Sequence, residues 1–364
     1  MVAMRSSSYK NKVLFCAATL LAFVAINYAI WQTLTRDLLT DIHYDGGDLA
    51  RMSYLADAKL PRRNKATLPN RHIPFKEYQG GPVDMVTIGD SFSNGGAGGE
   101  NRYYQDYIAS LNKMTVLNLD HYRDLDLITT VCVLANNGFL DRVRPRYLLI
   151  EASEKGVKEL IRGVDFARTA SMEEVRAFKL FPQAAPPKVP FINNGNFKYL
   201  LNRVAYRFSD HGFYGGVYLA KLERDFFSIA KGNRLLYLRN PANFTAAEVS
   251  QLNDNLNRLA DLLAGKGIKM VYMPYVDKYT LYSKWLPKKR FPESQFFELL
   301  RPLAKRYRLI DTKAILGEML ERGEKDVFYP DDTHASWKAS ERIFSQERFD
   351  PPTSSLRQLN RSRR

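Results

Sequence analysis

The chain has 364 residues, with 54 Lys and Arg against 39 Asp and Glu, a net charge of +15, and a pI near 9.6. That length buries a substantial core and fits one large α/β domain with an insertion, or one domain plus a small subdomain. The 2 cysteines exclude a disulfide framework and a cysteine-based metal site. No zinc ligands, RNP-like aromatics or helix-turn-helix pattern accompany the basic charge, so nucleic acid is not an expected partner. The charge fits a solvated surface beside an anionic membrane, or attraction to an acidic polymer.

The first element is residues 13–31 (VLFCAATLLAFVAINYAIW), an apolar run interrupted by Thr19 and Asn27 and long enough to cross a bilayer as a helix. Arg5, Lys10 and Lys12 precede it without an acid, whereas Asp37, Asp41 and Asp45 follow with only Arg36. The positive-inside rule then keeps 1–12 in the cytoplasm and puts the rest outside, periplasmic in a Gram-negative cell. A cleaved signal peptide is the competing reading. The run is long for one and lacks a small-x-small cleavage site, so an uncleaved anchor is expected. Residues 32–80, with Pro61-Arg62-Arg63 and Pro74, read as a polar juxtamembrane spacer with one short helix.

An α/β domain is expected over 81–345. Its strands are predicted at Met85–Ile88, 115–119 and 147–150, with helices at 103–111 and 124–142 between them. The 147–150 strand is continuously apolar, as a strand buried on both faces must be. Strand alternating with helix implies a parallel sheet covered by helices on both faces, three layers in all. Residues 155–245 break that rhythm. Pro182, Pro186, Pro187 and Pro190 mark a loop and dense aromatics follow, which reads as an inserted cap whose rings mostly fill a core. Rhythm returns with a helix at 245–263, N-capped by Thr245 and ended by Gly265-Lys266-Gly267. A strand at Lys269–Tyr275, a helix at 296–307, a short strand at 308–311 and a last helix at 336–344 complete the domain. The basic, polar tail, 346–364, is expected to be disordered from 351 onward.

Two motifs carry chemistry. Gly89-Asp90-Ser91 ends the first domain strand, and a glycine-rich loop follows from Asn94 to Gly99. Ligands sit at the carboxyl ends of strands in open α/β sheets, which is where Ser91 falls. The loop has neither the Lys-Ser/Thr ending of a P-loop nor a dinucleotide fingerprint. Its glycines, Gly95 and Gly96 among them, suit close approach of a substrate to the backbone. The second motif is Tyr329-Pro330-Asp331-Asp332-Thr333-His334. His334 is one of 5 histidines, and either aspartate can turn its carboxylate to the imidazole and orient it as a base for a serine. Such a site needs no metal and no cofactor. The plain alternatives are an ordinary strand-end turn at Ser91 and a surface loop whose acids cap the next helix.

Gly-Asp-Ser with a late Asp-x-x-His resembles the SGNH, or GDSL-type, hydrolase and acyltransferase superfamily. The chain is most similar to its membrane-anchored members of the alginate O-acetylation kind. The resemblance rests on IGDSFS at 88–93, RYLLIEASEKGV at 146–157, VYMPYVDKYTLY at 271–282 and YPDDTHASWKAS at 329–340. It implies a flavodoxin-like three-layer sheet, Ser91 as nucleophile, His334 as base and Asp331 or Asp332 as its partner. Serine-first members place the acid three before the histidine, which favours Asp331. The Asp-Thr-His triplet favours Asp332, but in alginate-type proteins that triplet precedes the serine. The balance falls on Asp331.

The family's glycine and asparagine oxyanion donors have no counterpart in Asp120-His121-Tyr122 or Glu151-Ala152-Ser153-Glu154. The oxyanion hole is therefore expected from the Ser91 N–H and loop amides at Gly95 and Gly96. Lys278 and Tyr282 either line the site or are ordinary strand-end polar residues. The implied activity is transfer of an acyl group, acetyl first, onto an acidic exported polysaccharide, with the acyl group received from a membrane donor protein. A carbohydrate esterase and a non-catalytic glycan-binding or scaffold subunit are the alternatives.

Overall fold

A computed structural model of the chain describes residues 2–40, 47–55, 58–62, 64, 66–119, 125–177, 189–239 and 243–350. The loop at 182–187, the Asp120-His121-Tyr122 segment, Asp41, Asp45, Arg63 and the tail from 351 lie outside them.

Helix α1 (Val2–Ile30) runs through a π-helical stretch, Trp31–Thr35, into α2 (Arg36–Thr40). Within Tyr9–Thr40 an 18-residue window has a mean hydropathy of 2.2 and is 6% buried, so the helix is long and apolar enough to cross a membrane. A short α3 (Asp48–Ser53) follows. The segment expected to be a spacer then supplies β1 (Ile73–Pro74), one of the two edge strands of the main sheet.

That sheet is six-stranded and parallel, ordered β1-β3-β2-β4-β7-β8. Its members after β1 are β2 (Met85–Ile88), β3 (Val116–Asn118), β4 (Tyr147–Ser153), β7 (Lys269–Tyr275) and β8 (Arg308–Leu309). The continuous apolar runs of β2, β4 and β7 are buried almost throughout, as two covered faces require. β4 and β7 pair in register from Tyr147 opposite Lys269 to Ser153 opposite Tyr275.

Two groups of helices flank the sheet. One brings α5 (Leu127–Asn136) and α6 (Phe139–Val143) together with α9 (Ala246–Ala264) and α11 (Phe296–Leu300). The other joins α4 (Tyr104–Asn112), α12 (Thr312–Glu321) and α13 (Trp337–Gln346). Thr245 caps α9 through a full capping box with Glu248. The helix expected over 124–142 is divided at Asn137-Gly138. The helix expected to reach residue 307 stops at Leu300, because Pro302 has no N–H to give and its ring clashes with the preceding turn. The strand expected to reach residue 311 stops at Leu309, since the Asp311 side chain accepts the Ala314 N–H and caps α12.

The described residues of 155–245 contribute no strand to the main sheet. They hold α7 (Met172–Ala177), α8 (Asn194–Phe208) and the antiparallel pair β5 (Val217–Lys221) and β6 (Arg234–Leu238). Between β7 and α11 lies the buried α10 (Lys278–Tyr282).

Candidate functional site

Parallel strands bring their carboxyl ends to one edge, and the Gly89-Asp90-Ser91 turn leaves β2 at that edge. Asp90 builds the turn. Its Oδ1 accepts the Phe92 N–H at 3.1 Å, and its Oδ2 accepts the Ser153 N–H at 2.8 Å, tying the turn to the end of β4. Beneath it lies Glu151, fully buried. Glu151 Oε2 accepts from Ser93 Oγ at 2.9 Å and from the Asp90 and Ser93 N–H groups, each at 3.2 Å. Burial, reinforced by the Asp90 carboxylate, holds the Glu151 carboxyl well above the usual range. Gly89 allows this approach, since a Cβ there would sit 2.2 Å from Ser93 Oγ and 2.4 Å from Glu151 Oε2.

Ser91 is exposed, and its Oγ lies 2.7 Å from His334 Nε2. The imidazole is buried, with Phe92 tilted against it at 4.8 Å, and Phe92 in turn stacks on Tyr275 at 4.1 Å. Asp332 Oδ1 accepts from both His334 N, at 3.0 Å, and His334 Nδ1, at 2.7 Å. A carboxylate only accepts, so Nδ1 carries the proton and the Nε2 lone pair is left for the Ser91 hydroxyl. The loop after α12 closes this ring within three residues.

The carboxylate that meets the imidazole is thus Asp332, in place of the favoured Asp331. The three-residue spacing points Asp331 the other way, into a salt bridge with Arg62 Nη2 at 3.1 Å. Arg62 Nη2 also reaches Asp332 Oδ2 at 2.9 Å, and its Nε donates to Ala97 O at 2.6 Å. One buried guanidinium therefore clamps the acid loop to the glycine loop. Asp331 Oδ2 also accepts the Gly47 N–H at 2.9 Å, and Asp48 accepts from Thr333 N at 2.8 Å and from Thr333 Oγ1. Arg62 and Asp48 both come from the supposed spacer. The only signal for Arg62 was that two adjacent buried acids need a cation. Nothing in the sequence says which one, because Arg62 is 269 residues from Asp331.

The charges in this cluster settle by position. Burial works to raise the Asp332 carboxyl, but protonated His334 and Arg62 outweigh it and hold it below the usual range. Asp48 is pushed up to about 6 by burial and by Asp332, against the pull of His334. For His334, burial lowers the pKa, while Asp332, Asp48 and Asp90 raise it, and the net shift is upward from 6.5. Asp48, Asp332 and His334 bring one ligand-type atom each within 4.8 Å of one another. Asp332 already bonds His334, and Asp48 bonds Thr333, so each group of the cluster has a hydrogen-bond partner.

Other expected residues serve elsewhere. The Gly95 N–H donates to Phe92 O at 3.4 Å and the Gly96 N–H to Ser91 O at 2.8 Å, so turn formation occupies both expected oxyanion donors. Among the described residues, the Ser91 N–H donates to no protein acceptor. Gly96 matters for its missing side chain, because a Cβ would lie 2.5 Å from His334 Nε2. Lys278 does not line the site. Its buried Nζ donates to the carbonyls of Tyr329, Pro330 and Asp332 at 2.7, 3.0 and 3.0 Å, underpinning the acid loop, and burial lowers its pKa to about 8. Tyr282 is a core residue whose ring meets Phe226 at 5.4 Å and whose hydroxyl accepts the Phe328 N–H at 3.4 Å. Compared with models of known protein families and with curated proteins, the chain matches none.

Proposed function

We propose that this protein is an SGNH-type serine O-acyltransferase, anchored by α1 with its α/β domain outside the cytoplasm, and that it acylates an exported polysaccharide. The observation that carries the reading is the continuous Ser91–His334–Asp332 chain, with both links at 2.7 Å. In the first half-reaction His334 Nε2 takes the Ser91 proton while Oγ attacks the acyl carbonyl. The negative charge on the tetrahedral carbonyl oxygen turns toward the Ser91 N–H. Collapse expels the donor's leaving oxygen, which receives the proton from His334, and acyl-Ser91 remains. In the second half-reaction a sugar hydroxyl gives its proton to His334 and attacks the ester, and as the acyl–Oγ bond breaks His334 returns the proton to Ser91 Oγ. Asp332 keeps Nδ1 protonated throughout and stabilises the imidazolium.

Transfer, rather than hydrolysis, is favoured by the apolar helix, which would hold the site beside a membrane donor protein. Acetyl is the first acyl group to test, and the net charge of +15 suits an acidic acceptor. The direct test is covalent labelling of the purified full chain with a fluorophosphonate. Wild type should be modified at Ser91, and Ser91→Ala and His334→Ala should not be. Wild-type protein that stays unlabelled while folded would defeat the catalytic reading and leave a glycan-binding scaffold. Supplying a generic acetyl ester with either a sugar acceptor or water alone then separates transferase from esterase.

A further inference from the structure

Helix α8 is turned inside out for a helix in water. Phe197, Leu200, Leu201, Val204 and Phe208 recur at helical spacing on one face, and all five are exposed, Val204 at 53% and Phe208 at 87%. The face toward the protein carries the small residues Gly195 and Ala205 and two buried amides, Asn196 and Asn202, exposed by 1% and 0%. Both asparagines are fully engaged. Asn196 bonds Thr35, Asn27 and the Phe191 carbonyl, and Asn202 bonds Ser53 O and both polar backbone groups of Tyr214. Rolling the helix over to bury its apolar face would strand these amides.

The same helix lies against α1. Phe197 stacks on Phe23 at 6.0 Å, and the Trp31 indole donates to Val189 O at 3.0 Å, where the chain approaches α8. Phe23 is about 12 Å along the axis from Trp31 by helical rise. Asn27, one of the two interruptions of the apolar run, is thereby sealed by Asn196. Lys198, Arg203 and Arg207 flank the apolar face, the arrangement of a helix lying at an anionic bilayer surface.

We propose that α8 is a second membrane element, its apolar face seated in the lipid of the leaflet around the Trp31 end of α1. This rests on the reading of α1 as a membrane anchor. Two contacts, one spanning and one interfacial, stop the α/β domain from turning freely about a single helix.

The test uses the full chain with Cys16→Ser and Cys132→Ala, reconstituted in phosphatidylcholine–phosphatidylglycerol vesicles. An environment-sensitive fluorophore is attached to a single cysteine replacing Val204, Phe208, Leu20 or Arg322. Labels at 204 and 208 should be blue-shifted like that at 20, and quenched several-fold more by nitroxide lipids than by aqueous iodide. The label at 322 should show the reverse. Labels at 204 and 208 that behave like 322 place the face in water and overturn the proposal. So do labels shielded from both quenchers that cross-link between copies, since the face then belongs to a second chain. A label at 20 that reports water instead overturns the anchor itself, a failure distinct from that of α8 alone.

Discussion

Asp332 holds His334 at 2.7 Å while its chain neighbour Asp331 faces Arg62 at 3.1 Å, so equal substitutions at the two positions should differ in kind. Asp332→Asn favours the wrong imidazole tautomer and is expected to lower kcat roughly 10⁴-fold with the fold retained. Asp331→Asn leaves Arg62 with Asp332 and should cost about 1–3 kcal/mol of stability with little change in turnover per folded molecule. Denaturant unfolding and fluorophosphonate active-site titration separate the two outcomes, and reversed effects would return the orienting role to Asp331.

The pH profile follows from the same residues. In the proposed mechanism neutral His334 is the base, and its pKa is raised, so activity should climb along a limb displaced above 6.5. Asp48 is one of the carboxylates raising it, and Asp48→Asn should move that limb toward acid pH with the plateau little changed. A limb that stays in place would belong to another group. The stability sign is opposite. A raised imidazole pKa stabilises the fold fully below the unfolded value, and that contribution is lost as pH rises through the folded one.

At the scale of elements, the site is two loops held at one sheet edge by a third segment. The glycine loop must pass close to the imidazole, and Gly96 meets that demand by having no Cβ. Gly96→Ala puts a methyl 2.5 Å from His334 Nε2 and 2.8 Å from Ser91 O, so the base or the loop must shift. A loss of about 10²-fold in the rate of fluorophosphonate inactivation is expected, with circular dichroism unchanged. Gly317→Ala in α12 is the control. Nothing lies within 4 Å of its added methyl, and a small stabilisation, about 0.5–1 kcal/mol, is expected from helix propensity. Equal inactivation rates for wild type and Gly96→Ala would mean that the loop yields without moving the imidazole.

At the scale of the molecule, the proposed orientation rests on Arg5, Lys10 and Lys12 before the apolar helix and Asp37 after it. Protease added to intact spheroplasts should digest the α/β domain and leave a membrane-protected fragment containing α1. Digestion only in inverted vesicles would reverse that orientation and remove an exported polysaccharide from reach.

Local chemistry determined much of this protein by itself. Continuous apolar runs marked β2, β4 and β7, because a strand covered on both faces has no polar side to show. A threonine three residues before a glutamate set the start of α9, since a capping box closes within one turn. The pairing of Ser91 with His334 was legible because strand ends in a parallel sheet converge on one edge. The partners of individual polar atoms were not. Asp332 took the imidazole because a two-residue turn lets one carboxylate bond both the backbone N–H and the ring, and Asp331 was turned away by the same geometry. Arg62 and Asp48 reached the acid loop only through the tertiary path of a segment that looks like linker. The amides of Gly95 and Gly96 were lost to turns that no residue pattern announces. The orientation of α8 belongs to the same class. Its sequence shows an apolar face, but only the satisfied asparagines behind it decide that this face points away from the protein.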